Sequence, residues 1–134
     1  MSHYETIARK YFEAFHAGRL DEVFSYFAEN GVVKYGTEPE KLAKDFFPET
    51  KELIAGITFT THGIYDSEQT NNVIIHFSFT MPTEGGEFST MEAIDIIEFD
   101  ENDRIACVKV ITNEEKVEQG APPDGHSAAL QCRR

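Results

Sequence analysis

The sequence predicts an α+β fold in which three N-terminal helices pack on a curved antiparallel sheet and enclose one cone-shaped, apolar pocket. Three observations carry this expectation. Apolar residues recur at three- and four-residue steps as far as Ala55, the spacing of one helix face. From Ile57 onward the period changes to two, the mark of strands with one buried face. The later runs are separated by DSEQTN, PTEGG and DEND, short turn-forming segments suited to hairpins.

Taken in order, residues 4–17 form the first helix, with Tyr4, Ile7, Ala8, Tyr11 and Phe15 on the apolar side and Arg9, Lys10, Glu13 and His16 opposite. Gly18 ends it as a left-handed C-terminal residue. A second helix spans about 20–28 on the stripe Leu20, Val23, Phe24 and Phe27, closed by Asn30-Gly31. Val32–Tyr35 is a short β run. Thr37-Glu-Pro-Glu40 reads as a capping box that opens a third helix through Leu42, Phe46 and Phe47, with Glu38 in its first turn. Pro48 is expected to break or kink this helix before Glu49–Ala55 resumes it and Gly56 stops it. Four strands follow at about 57–65, 72–81, 87–99 and 104–112, an antiparallel meander. Residues 1–115 are thus read as one domain and 116–134, polar and carrying Pro-Pro and Asp-Gly, as a mobile tail.

Composition excludes several functions. With 24 acids against 12 bases the formal charge is −12, which repels a phosphate backbone, and only Arg133 and Arg134 cluster. Nucleic acid is therefore not an expected partner. No apolar run approaches the roughly 20 residues of a membrane helix, and the charged start MSHYETIARKYF lacks a secretory apolar stretch, so a cytoplasmic setting is expected. Cys107 and Cys132 are read as free thiols. No metal-ligand spacing or phosphate loop occurs, so no cofactor is expected.

Strand alternation sorts side chains by face. In the third strand of the meander, Thr90, Glu92, Ile94, Ile96 and Glu98 share one face and Met91, Ala93, Asp95, Ile97 and Phe99 the other. The preceding strand agrees, with Val73, Ile75, Phe77, Phe79 and Met81 forming an apolar face. Asp95 is the anomaly: a single carboxylate in the row that meets the helices, obliged to find partners or take up a proton. His62, with Thr58, Thr60 and Ile64, and His76, with Ser78 and Thr80, fall on the outer face; His3, His16 and His126 are read as exposed.

The segments ARKYFEAFHAGRLDEVFSYFAENGVV and AIDIIEFDENDRIACVKVIT, with the meander between them, resemble the nuclear-transport-factor-2-like superfamily, specifically its ketosteroid isomerase and polyketide cyclase (SnoaL-like) branch. The resemblance covers about residues 4–112 and implies a cystatin-like α+β roll. Ketosteroid isomerases stabilise an oxyanion with a first-helix tyrosine and a protonated late-strand aspartate, and use another aspartate as base. Matched residue by residue, the tyrosine falls on Tyr11 in RKYFEAF and the aspartate on Asp95 in AIDIIEF; the base position, in GVVKYGTE, holds Tyr35, with Glu38 three residues on.

The resemblance implies a small-molecule pocket protein, with Tyr11 and Asp95 as catalytic residues and Phe15, Phe27, Tyr35, Phe47, Phe59, Phe77, Met91 and Ile97 lining the pocket. Its ligand is a small apolar carbonyl or phenolic molecule. Either an isomerase- or cyclase-type enzyme carries out enolate-type proton transfer there, or a non-catalytic binding or dimerisation module keeps the cup alone. In a third arrangement Tyr11 and Asp95 bond to each other and the phenylalanines merely fill. A homodimer through the outer sheet face completes the expectation.

Overall fold

The computed structural model describes residues 2–113. Helix α1 (His3–His16) begins at Ser2, whose Oγ accepts a hydrogen bond from the Glu5 amide at 3.0 Å. It ends where Gly18 adopts φ 73°, as expected of its position. Helix α2 (Leu20–Tyr26) is followed directly by β1 (Phe27–Tyr35), β2 (Lys41–Leu42), α3 (Ala43–Ala55), β3 (Thr58–Asp66), β4 (Asn72–Pro82), a short 3-10 turn (Glu84–Gly86), β5 (Phe88–Phe99) and β6 (Ile105–Thr112). The strands form one sheet in the order β2-β1-β6-β5-β4-β3. The α+β class is as predicted, and the four later strands match their expected bounds to within a residue.

The sheet is not wholly antiparallel, because β1 runs parallel to β6. That pairing also corrects the second helix: Phe27 is not its last apolar residue but the first of β1, opposite Ile105. Asn30-Gly31 lies inside this strand rather than closing a helix. The register shifts between Phe27 and Val32, and a Cβ on Gly31 would come within 2.7 Å of the Phe27 ring and 3.0 Å of the Ile105 carbonyl oxygen. Only glycine fits at that bulge.

The third helix begins later than expected. Gly36–Glu38 forms a turn, Glu38 is exposed in it, and Lys41–Leu42 instead pairs with Val32 and Val33 as β2. Leu42 occupies the N-cap without a side-chain bond; strand pairing has overridden the capping signature. Pro48 does not break the helix. It sits within α3, where it lacks the N–H that would reach back to Lys44. Phe47 and Ile54 are both buried and hold the segment against the core, which offsets that loss.

Inner-face side chains of β4 and β5 are buried in strict alternation: Val73, Ile75, Phe77 and Phe79 on one, Ala93, Asp95, Ile97 and Phe99 on the other. One assignment changes. A bulge between Thr61 and Gly63 shifts β3 by a residue, so Ile64 pairs with Ile75 and packs against the core instead of sharing the outer face with His62. The β5–β6 hairpin is fixed by Asp100, whose Oδ1 accepts from the Asn102 and Arg104 amides at 2.9 and 3.0 Å, while Asp103 adopts φ 61°. The tail expected over 116–134, with Cys132, His126, Arg133 and Arg134, lies outside the described residues.

No helix among the described residues is long and apolar enough to cross a membrane.

Candidate functional site

Asp95 sits mid-strand in β5, opposite Ile75 of β4 and Val110 of β6. It is 2 % exposed, and its Oδ1 is sealed from solvent without a hydrogen-bond partner. Burial alone pushes its carboxyl up to about 8, because the low-dielectric interior penalises the charged form. At neutral pH the side chain is therefore mostly a protonated acid, with an O–H to donate.

Tyr11 reaches the same interior from α1 and is also 2 % exposed. Burial first, and the Asp95 charge when that acid ionises, hold its phenol well above 10. The two side chains thus influence each other electrostatically, yet Asp95 Oδ1 accepts no bond from the phenol. The arrangement in which the pair merely satisfy each other across the core leaves that oxygen unexplained.

Tyr35 is the last residue of β1, in register with Val110, which is itself in register with Asp95. The position matched to the family's base therefore lies two strands from the acid on one row, about 10 Å across the sheet at ~4.8 Å per strand. The sheet register puts Tyr35 and Asp95 on one row, but the position matched to the base carries a half-buried phenol rather than a carboxylate.

Of the expected lining, Phe27, Phe47, Phe77 and Ile97 are buried, whereas Phe15, Tyr35, Phe59 and Met91 are half-buried. The aromatic rings meet across the interior: Tyr11 lies 5.5 Å from Phe27, 6.1 Å from Phe47 and 6.2 Å from Phe15, and Phe15 lies 6.0 Å from Phe59. Two surface depressions, of about 560 and about 570 Å³, lie elsewhere, one along the start of α3 around Lys44 and Pro48, the other between Gly18–Glu22 and Lys51. Burial within the cup lapses in one direction. Ile75 is fully buried, Phe79 is 8 % exposed, and Met81 and Met91 are half-exposed, so the sheet side opens at the Met81–Met91 end.

His16, expected on the exposed side of α1, is half-buried instead. Its ring stacks on Phe59 with centroids 3.8 Å apart at 12° and meets the edge of Phe12 at 3.9 Å. Its Nε2 is buried without a partner, and burial pushes the imidazole down to about 4. The sequence signal was Phe12, four residues earlier and itself buried, which widens the apolar face beyond the stripe drawn through Tyr11 and Phe15.

The other histidines lie outside. His62 Nε2 bonds Ser78 Oγ, His76 Nε2 lies 2.9 Å from Glu92 Oε2, and His3 pairs with Asp103 at 3.2 Å. Cys107 is a free, half-buried thiol pushed up mainly by burial. Among the described residues no group of three His, Cys, Asp or Glu could hold a metal ion.

Three helices packed on a curved, unclosed sheet, with an acid buried on its inner face, define an α+β class of cystatin-like fold. Within it, residues 8–108 match the SnoaL-like domain, and the chain belongs to that family. Solved structures share the fold at low identity. A cystatin-like protein of unknown function from Methylobium petroleophilum superposes with TM-score 0.70 at 14% identity, over 89% of this chain and 81% of its own. The epoxide hydrolase/cyclase-like enzyme SalBIII, of pyran ring formation in salinomycin, gives 0.69 at 15% identity over 81% and 89%. A candidate isomerase from Bacillus subtilis gives 0.63 at 20% identity over 80% and 84%. No curated protein matches the sequence significantly.

Proposed function

We propose that the chain is a small-molecule pocket protein that grips the oxygen of an apolar carbonyl or phenolic ligand between the Tyr11 hydroxyl and the protonated Asp95 carboxyl. The observation that carries this reading is the buried, unpartnered Asp95 oxygen. A native interior leaves such a group unpaired rarely, and functional sites are where exceptions gather. Two neutral donors in a dry site favour an oxygen that gains negative charge, as a ketone does when it becomes an enolate. In that step a C–H bond beside the carbonyl breaks, its electron pair moves toward the oxygen, and its proton leaves to a base. The names isomerase and cyclase-like among the structural neighbours fit this chemistry. The ligand enters at the Met81–Met91 end, past half-buried Phe15.

One observation favours a second reading. Tyr35 supplies no carboxylate to accept the proton, and a phenol with a pKa near ~10 is a poor base at neutral pH; the fold then serves as a binding module without turnover. A cytoplasmic setting and a homodimer through the outer sheet face complete the proposal. The latter is supported by Ile94, 37% exposed beside half-buried Ile74 and Ile96.

Titration with a fluorescent phenol tests the grip. Tyr11→Phe or Asp95→Asn is expected to weaken phenolate binding roughly 10- to 100-fold, the effect of one hydrogen bond to a charged oxygen. Wild-type binding should fade as pH rises past about 8, where Asp95 ionises and repels the anion. Unchanged affinity in both variants contradicts the proposal. Appearance of the conjugated-ketone absorbance from a β,γ-unsaturated ketone separates the enzyme from the binder.

A further inference from the structure

We propose that His16 determines ligand specificity, its Nε2 hydrogen-bonding a second polar group carried by the ligand at the end opposite the oxygen held by Tyr11 and Asp95. This rests on the pocket reading above and adds a length and a second functional group to the ligand.

Among the described residues three buried side-chain polar atoms lack partners: Asp95 Oδ1 on the sheet side, and His16 Nε2 and Arg9 Nε on α1, of which the first two belong to side chains packed among the core aromatics or strands. These two come from opposite layers of the core, Asp95 from β5 and His16 from α1. His16 stacks on Phe59, which pairs with Phe79 and whose ring also lies 6.1 Å from Phe77, while Phe79 in turn pairs with Met91, where burial begins to lapse. Met91 is four residues from Asp95 along β5, about 14 Å at ~3.4 Å per residue. Along α1, His16 follows Tyr11 by five residues, about 7.5 Å of rise. Phe12 and Phe59 touch both the imidazole and Phe77, which pairs with Ala93 two residues from Asp95, so aromatic rings link the two polar atoms.

The imidazole is not free to turn away. Phe59 covers one of its faces and Phe12 and Phe15 flank it, at 3.8, 3.9 and 6.0 Å. Burial alone keeps it uncharged, with no neighbouring charge contributing. In the tautomer protonated on Nδ1, Nε2 presents a lone pair that accepts from a hydroxyl; in the other it donates to a carbonyl. An uncharged ring with no counter-ion does not select a salt partner. The fitting ligand is elongated and uncharged at its outer end, with an apolar, preferably aromatic body and an oxygen at each extremity.

Two probes that differ only in the distal oxygen test this on the full chain: para-phenylphenol and the biphenol with a hydroxyl at each para end. Wild type is expected to bind the biphenol roughly tenfold more tightly, and His16→Phe to erase that preference while leaving para-phenylphenol within about twofold of wild type. His16→Leu guards against a packing effect of the new ring and should lose the preference equally. A preference that survives in both variants, or is missing from a wild type that binds both phenols, overturns the role of His16. Asp95→Asn, run in parallel, tells the two readings apart. If Asp95→Asn weakens both probes while the His16 variants change nothing, only this inference fails. If no variant affects either probe, the grip at Asp95 fails with it.

Discussion

Asp95→Asn should stabilise the folded chain by an amount that grows from nearly zero at pH 4 to on the order of 5 kcal/mol at pH 8. The sign follows from proton binding. The acid titrates near 3.8 in the unfolded chain and near 8 in the fold. Between those values the native state holds a proton that the unfolded state has released, so raising the pH lowers stability across this window and no further above it. Asparagine keeps the shape but has nothing to ionise, and its amide N–H is a weaker donor than the O–H of a carboxylic acid. Burial that pushes His16 down to about 4 adds an acid-side loss below the ordinary histidine range, but it acts on wild type and variant alike and cancels in their difference. Chemical denaturation of both proteins at a series of pH values measures the effect. A residue that costs stability at working pH yet persists in the middle of a strand fits a site shaped by function rather than by packing.

Phe47→Ala should cost about 3–5 kcal/mol, the range for emptying a fully buried phenylalanine site that cannot collapse. Phe47 is 1 % exposed, and its ring lies within 6.2 Å of Phe46, Phe27, Phe15, Tyr11 and Phe24. It therefore ties α3 to α1, α2 and β1 at one point. It also directly precedes Pro48, where the helix lacks a backbone donor and depends most on tertiary contacts. The loss should appear as a lower denaturant midpoint. Phe46→Ala, at a half-buried neighbour, should cost much less, and equal costs would contradict the account of how α3 is anchored.

The later sheet was legible because a period of two is set by local geometry and leaves its imprint residue by residue. Asp95 was legible for the same reason, as one acid in an apolar row whose inward direction parity decides. What depended on distant partners was not legible. Phe27 continues a helical stripe in sequence but joins Ile105 across the sheet, and Lys41–Leu42 is a strand only because Val32 and Val33 lie beside it. Ile64 changed faces because one bulge residue reversed the parity of everything after it. His16 escaped notice because the stripe through Tyr11 and Phe15 defined too narrow a buried face, while the helix in fact also buries Phe12 and Ala14. At the site, residue identities supplied the acid, the phenol and the missing base. The unpartnered oxygen and the rings that fill the cup needed coordinates.

The titration of the Asp95 carboxyl carbon, followed by carbon-13 NMR on selectively labelled protein, bears most directly on whether a neutral acid waits inside the cup. The account predicts a protonated carboxyl at neutral pH and a midpoint near 8. A midpoint near ~4, the ordinary aspartate value, would mean a charged, solvated or paired carboxylate and would remove the donor on which the proposed grip depends.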